Sequence, residues 1–188
     1  GAQSADMVVY AGDSLLLASS IELGGSRFSE DVARVLGIAY QDAEAVKLQH
    51  GYAVTQEETG RSLIELPAPP GRQSREIPRK DLTAVLECRA RQLFRWVRKE
   101  LGRVLRDGEL LGGLALCGGA ARLPGMCDVA EAVVGCDAYL GLPRCIRDWP
   151  AALNDPAWTT AAGLAMYSAR LKQREREGRR GFLSRIFG

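Results

Sequence analysis

Leu114-Ala115-Leu116-Cys117-Gly118-Gly119-Ala120-Ala121-Arg122-Leu123-Pro124-Gly125-Met126 is the stretch around which the other segments arrange themselves. A short apolar run without alternation stops at a glycine pair. It predicts a strand buried on both faces, the kind found in the middle of an α/β sheet. Adjacent glycines let the chain turn sharply and put no Cβ between the backbone and a flat or charged ligand. Pro124 suits the first turn of a helix predicted over 124–134 and capped by Gly135, because the N–H it lacks has no helical partner there. Strand, glycine turn and helix start together make a place for a nucleotide. The same residues also serve as a plain tight turn, and the motif alone does not choose.

Composition narrows the setting. The chain has 188 residues, 46% hydrophobic and 26% charged, enough for one domain or two small lobes with a real core. The net charge is +2, but residues 172–188 carry six Lys/Arg and two Glu, a net of +4 that leaves −2 for the rest. Five cysteines form no C-x-x-C pair and His50 is the sole histidine, which speaks against a disulfide scaffold or a zinc site and for a reducing cytoplasm. No apolar run is long enough to cross a bilayer, and no signal peptide is visible.

Along the chain, 5–10 and 15–23 read as strands of a hairpin turning at Ala11-Gly12-Asp13-Ser14. Gly24-Gly25-Ser26 opens a helix with Phe28, Val32, Val35 and Leu36 on one face and Gly37 at its end. A second helix, 41–48, presents Glu44 and Lys47 from the same side, a spacing that usually marks a solvated pair. Short strands at 63–66 and 75–77 flank a proline-rich loop. The longest helix, 79–106, has an apolar stripe of Leu82, Val85/Leu86, Leu93, Val97, Leu101 and Leu105, with Phe94 and Trp96 beside it. Arg91, Arg95, Arg98 and Arg103 lie opposite; acidic neighbours dilute them and no aromatic residues interleave, so a solvated or protein-binding face is expected, not nucleic acid. Residues 138–140 read as another strand. Asp155-Pro156 then starts a small-residued helix over 157–172. Residues 172–180 read as a charged linker, and 181–188 as an amphipathic segment whose Phe182, Leu183, Ile186 and Phe187 share one helical face suited to a membrane surface. Such a tail could instead dock on its own domain.

In order, Gly1-Ala2-Gln3-Ser4-Ala5-Asp6, Gly24-Gly25, Asp42-Ala43-Glu44-Ala45-Val46-Lys47, His50-Gly51-Tyr52-Ala53, Glu87-Cys88-Arg89, Cys117-Gly118-Gly119-Ala120, Asp155 to Leu164 with Tyr167, and the terminal segment resemble the FtsA family of bacterial cell-division proteins. These are actin-like ATP-binding proteins. The resemblance implies an α/β, actin-like (ribonuclease H-like) second lobe. Subdomain IIA would be formed by 1–25 and 113–171, IIB by the inserted 26–112, and a C-terminal amphipathic helix would follow. It implies that Gly118, Gly119 and Ala120 face the adenosine of ATP, Glu44 and Lys47 its ribose and base, and Gly1, Gln3 and Ser4 the phosphates, with Mg supplied through the full-length protein. It also implies self-association into filaments and binding of the tubulin-like division protein FtsZ by subdomain IIB, with 75–106 as the candidate surface. The expected location is the cytoplasmic face of the inner membrane.

Ala2-Gln3-Ser4 departs from the more glycine- and threonine-rich phosphate hairpin and offers fewer unhindered N–H groups to phosphate. The chain opens inside that motif and is expected to be a piece of a longer protein. Phosphoryl transfer needs both walls of the cleft and the metal, so these residues alone are expected not to hydrolyse ATP appreciably. The alternatives are the actin-like ATP-binding protein of type IV pilus assembly and an actin-superfamily sugar kinase or phosphatase.

Overall fold

The structure, a computed structural model, describes residues 1–55, 62–67, 73–105, 110–143 and 146–187, with side chains as far as Arg174. Strands β1 (Ala5–Ala11) and β2 (Ser14–Ile21) form the predicted antiparallel hairpin, with a bulge between Val9 and Tyr10. Gly12 opens its two-residue loop at φ 55°, the sign that a tight hairpin needs at its first central residue. Val9 and Ile21 turn into the core, while Val8 and Tyr10 are exposed. That alternation marks a sheet covered on one side.

Helix α1 (Gly25–Leu36) buries Phe28, Ser29, Val32 and Leu36 and ends at Gly37 in the left-handed conformation. Val35, expected on the buried face, is exposed instead; the buried arc centres on Phe28, Ser29 and Val32, and Val35 lies outside it. Helix α2 (Tyr40–His50) packs against α1. Strands β3 (Leu63–Leu66) and β4 (Arg75–Pro78) pair antiparallel.

Helix α3 (Arg79–Leu101) organises the core. Leu82, Leu86, Ala90, Leu93, Phe94, Val97 and Leu101 recur at three- and four-residue intervals, are all buried, and face α1, β2 and a later helix, α4 (Met126–Val134). The helix stops at Leu101, short of the expected 106, and Trp96 is exposed. One apolar cluster joins Val9 and Ile21 to Val32, Leu66, Phe94 and Val129.

Strand β5 (Leu114–Leu116) pairs in parallel with β6 (Ala138–Leu140). The expectation of burial on both faces is corrected: Leu114 and Leu116 are half-buried and Ala115 is exposed. The reason is the width of the sheet, since β6 alone pairs with β5 among the described residues. A second correction concerns the segment between β5 and α4. Residues Gly119–Arg122 form a 3₁₀ turn, and α4 begins only at Met126, after Gly125 at φ 85°; Pro124 precedes that helix and is not its first residue. Asp155 caps the 3₁₀ turn Pro156–Trp158 by accepting from Ala157 N at 2.8 Å, as its sequence predicts. Helix α5 (Thr159–Phe187) then runs through 172–180 without a break, where a linker is expected. Lys, Arg, Glu and Gln are good helix formers, and nothing in that stretch stronger than Gly178 interrupts them. The backbone at Phe182, Leu183, Ile186 and Phe187 is helical; their side chains lie outside the described residues.

Candidate functional site

Three segments far apart in sequence meet at the start of α1. Gly25 N donates to Gly1 O at 3.0 Å and Ser26 N donates to Ala2 O at 2.8 Å, so the opening residues lie across the helix's first turn. A Cβ on Gly24 would stand 2.4 Å from Ala2 O and 2.7 Å from Gln3 C. Only glycine permits that approach. A Cβ on Gly25 would face Ala120 Cβ at 3.7 Å and Gly1 O at 3.8 Å. Gly25 therefore hydrogen-bonds the opening residues and lies close to the turn after β5.

The turn itself is open on one side. Gly118 has φ 91°, a backbone that a side chain rarely adopts, and its N–H donates to Pro156 O at 2.7 Å. Neither Gly118 nor Gly119 has an atom within 4 Å of where a Cβ would sit. Behind the turn, Thr159 Oγ1 donates to Gly141 O at 2.6 Å, and Cys117 lies so close to Gly141 that a Cβ there would meet Sγ at 2.4 Å. Burial of the Cys117 sulfur pushes the thiol up, with the Thr159 hydroxyl acting in the other direction, so it stays protonated at neutral pH. Arg122 and Asp155 close the outer side with an ion pair at 3.3 Å.

Glu44 and Lys47 approach from α2. Lys47 Nζ donates to Glu44 Oε2 at 2.7 Å, Ser29 Oγ at 2.8 Å and Gly25 O at 3.2 Å. The Ser29 hydroxyl also donates to Glu44 Oε2. The Lys47 side chain is 11% exposed and that of Glu44 36%, so this is not the solvated pair that its spacing alone suggests. Burial by itself would raise the Glu44 carboxyl. The hydrogen bonds from Lys47 and Ser29, with the Lys47 charge, outweigh it and hold the group below its ordinary value.

The candidate residues thus converge: Gly1 and Ala120 on Gly25, and Lys47 with Glu44 on the same turn. Gln3 is exposed and Ser4 half-buried beside them. Ser29 is a member of the cluster that the sequence pattern alone does not single out. Its one signal is a lone polar residue between Phe28 and Val32 on an otherwise apolar helix face. No helix among the described residues is long and apolar enough to cross a membrane.

Arginines of α3 and of the residues just after it are largely committed within the chain. Arg89 pairs with Asp31 at 2.5 Å, Arg91 with Glu87 at 2.8 Å and Arg103 with Glu100 at 2.8 Å. Arg98 donates to Val133 O at 3.2 Å, while Lys99 lies over the exposed Trp96 ring at 4.7 Å.

A family model described as Cell division protein FtsA matches residues 1–163. The chain belongs to the FtsA family. FtsA of Escherichia coli strain K12 is 30% identical over 174 residues, 89% of this chain and 41% of that protein. FtsA of Neisseria meningitidis serogroup B is 27% identical over 197 residues, 99% of this chain and 48% of that protein. The chain therefore spans less than half the length of these FtsA relatives. Among solved structures, MreB 5 of Spiroplasma citri bound to AMPPNP superimposes with a TM-score of 0.71 at 17% identity, covering 94% of this chain and 53% of that one. The PilM–PilN type IV pilus biogenesis complex gives 0.62 at 20% identity, covering 89% and 43%. These likenesses establish the actin-like fold. The match over 1–163 favours the FtsA family over the pilus and sugar-kinase alternatives.

Proposed function

We propose that this chain supplies one wall of an ATP site in an FtsA-type division protein, and that the protein links the tubulin-like division protein FtsZ to the inner face of the cytoplasmic membrane. The observation that carries the nucleotide reading is that Gly1 and Lys47 hydrogen-bond Gly25 and Ala120 lies close to it. In this reading the open glycine turn takes the adenosine, the carboxylate the ribose and the opening residues the phosphates with Mg. The nucleotides held by MreB 5 of Spiroplasma citri, AMPPNP and ADP in two structures, support it. Residues 1–25 with 113–171 form subdomain IIA, and 26–112 form IIB, which takes the FtsZ peptide. Self-association into filaments and attachment through 181–188 complete the role. Turnover needs the opposite wall of the cleft, so these residues bind ATP without hydrolysing it appreciably.

Two measurements test this. Calorimetric titration with MgATP should show binding that Gly119→Val abolishes; binding indifferent to that change overturns the site. Co-sedimentation with anionic vesicles should depend on residues 181–188, through their apolar side chains and the basic charge before them. Equal sedimentation after their deletion rejects the membrane role, and ATP turnover by the chain that is lost on changing Gly118 rejects the prediction of inactivity.

A further inference from the structure

We propose that the chain carries both halves of a head-to-tail contact with a second copy of itself. The outer face of the β1–β2 hairpin on one copy meets the outer face of α3 on the next. This rests on the self-association proposed above and names its surfaces.

Val9 and Ile21 point into the core, and Ser19 Oγ donates to Glu100 Oε2 at 2.9 Å, so the inner side of the hairpin lies on α3. Side chains alternate along a strand, which sends Val8 and Tyr10 the other way. Tyr10 pairs with Leu15 across the ladder, and the bulge leaves Leu16 without a partner, so two consecutive leucines stand at the surface. Val8, Tyr10, Leu15 and Leu16 are all between 43% and 61% exposed. A sheet face left to water normally carries polar side chains; an apolar patch there marks a contact surface. Its surroundings are acidic. Residues 1–26 contain Asp6, Asp13 and Glu22, all exposed, and no lysine or arginine.

The outer side of α3 has the opposite character. Leu86, Leu93, Val97 and Leu101 turn to the core, which leaves Gln92, Arg95, Trp96 and Lys99 exposed. Residues 91–103 hold five cations, Arg91, Arg95, Arg98, Lys99 and Arg103, against one acid, Glu100. That acid is turned to Ser19 and Arg103, and its side chain is only 15% exposed, so the surface of this stretch is left to the cations. Trp96, with Lys99 over its ring, is an aromatic anchor inside a positive rim. It complements an apolar face inside a negative rim. Because Ser19 rests on α3 from within, the hairpin and the helix form two layers whose outer faces look in opposite directions. The two faces therefore cannot meet within one copy. Pairing like with like would set acid against acid or cation against cation. Joining unlike faces leaves one free at each end, so further copies add in a row.

Sedimentation velocity of the chain over a range of concentrations tests this. Tyr10→Ser with Leu15→Gln disables the hairpin face, and Trp96→Ala with Lys99→Glu disables the face on α3. All four residues are exposed; Leu16→Glu and Arg95→Glu serve in their place should either pair of changes not fold. The unaltered chain should form species that grow with concentration and weaken with salt. Each variant alone should associate at least about tenfold more weakly. An equimolar mixture of the two variants should assemble and stop at a dimer, because it offers one intact face of each kind. A mixture that stays monomeric overturns the proposal. Full-strength association of the α3 variant alone marks a hairpin-to-hairpin contact and overturns it too, as does full-strength association of the hairpin variant alone. Should both variants associate like the unaltered chain, these surfaces are rejected while self-association stands. An unaltered chain that stays monomeric with and without MgATP sinks the self-association reading along with the proposal.

Discussion

The Lys47 ammonium lies 3.2 Å from the carbonyl oxygen of Gly25, which joins α2 to the first turn of α1. That carbonyl belongs to the residue whose N–H holds Gly1 O at 3.0 Å. A single peptide turn therefore carries both the hairpin that opens the chain and the charged pair on the second helix. Disturbing the turn should be felt at both.

Gly24→Ala is the sharpest way to disturb it. The added Cβ would meet backbone atoms of Ala2 and Gln3, which cannot swing aside as a side chain does. Gly24 has φ −114°, open to any residue, so the cost is steric. We expect a loss of about 1–3 kcal/mol, read as a lower denaturant midpoint, together with weaker MgATP binding. An unchanged midpoint would show that residues 1–3 do not lie against Gly24.

Gly118→Ala and Gly119→Ala should separate conformation from openness. The first places a side chain at φ 91° and should cost on the order of 1–3 kcal/mol. Gly119 shows no such φ and no atom within 4 Å of a Cβ, so its substitution should leave the melting temperature in place while weakening nucleotide binding. Loss of stability in both, or in neither, contradicts this division.

Phe94→Ala and Trp96→Ala, two residues apart on α3, should differ widely. Phe94 is among the largest fully buried side chains, and truncating it should cost about 3–5 kcal/mol. Trp96 is 44% exposed and gives up chiefly its contact with Lys99, so its loss should stay near 1 kcal/mol. Urea unfolding of the two variants decides it.

His50 and Glu44 both contribute to the response to acid. His50 is lowered by burial and by the positive charge of Arg79, so the unfolded chain takes up its proton first. Stability then falls as pH drops through the ordinary histidine value toward the lower folded one. Glu44 is likewise lowered, and its contribution, present above the ordinary carboxylate value, is lost as pH falls further through the folded value. His50→Gln should flatten the first decline and Glu44→Gln the second, as measured by denaturation midpoints across pH. A decline unchanged by its own variant shows that the residue does not cause it.

Arg95→Glu with Arg98→Glu tests the face of α3 proposed for the FtsZ peptide. Both residues are exposed, and neither is in an ion pair among the described residues. Affinity for an acidic peptide should drop several-fold, more at low salt than at high. Unchanged affinity at low salt dismisses this surface.

The secondary structure was readable because its signals are local. Gly12 and Gly37 fall where the backbone turns to positive φ, Asp155-Pro156 starts its turn as the cap demands, and the stripe on α3 has the period of a helix. The departures from expectation concern surroundings. Val35 and Trp96 are apolar yet exposed, and β5 is only half covered, because burial depends on what stands opposite and a single strand of sequence does not contain that. The 3₁₀ turn before α4 was hidden for a related reason: Pro124 fits a helix start as well as a turn.

The sequence by itself determined the elements, their order and the likeness to the FtsA family, since glycine, proline and apolar spacing act over a few residues. Only the tertiary structure decided that Glu44 and Lys47 are a half-buried pair, that Ser29 completes it, and that Gly1, Gly25 and Ala120 meet. Those facts depend on approaches between residues as far apart in sequence as Gly25 and Ala120. The approach that would bring a Cβ on Gly24 within 2.4 Å of Ala2 O exists only once the opening residues lie across the start of α1.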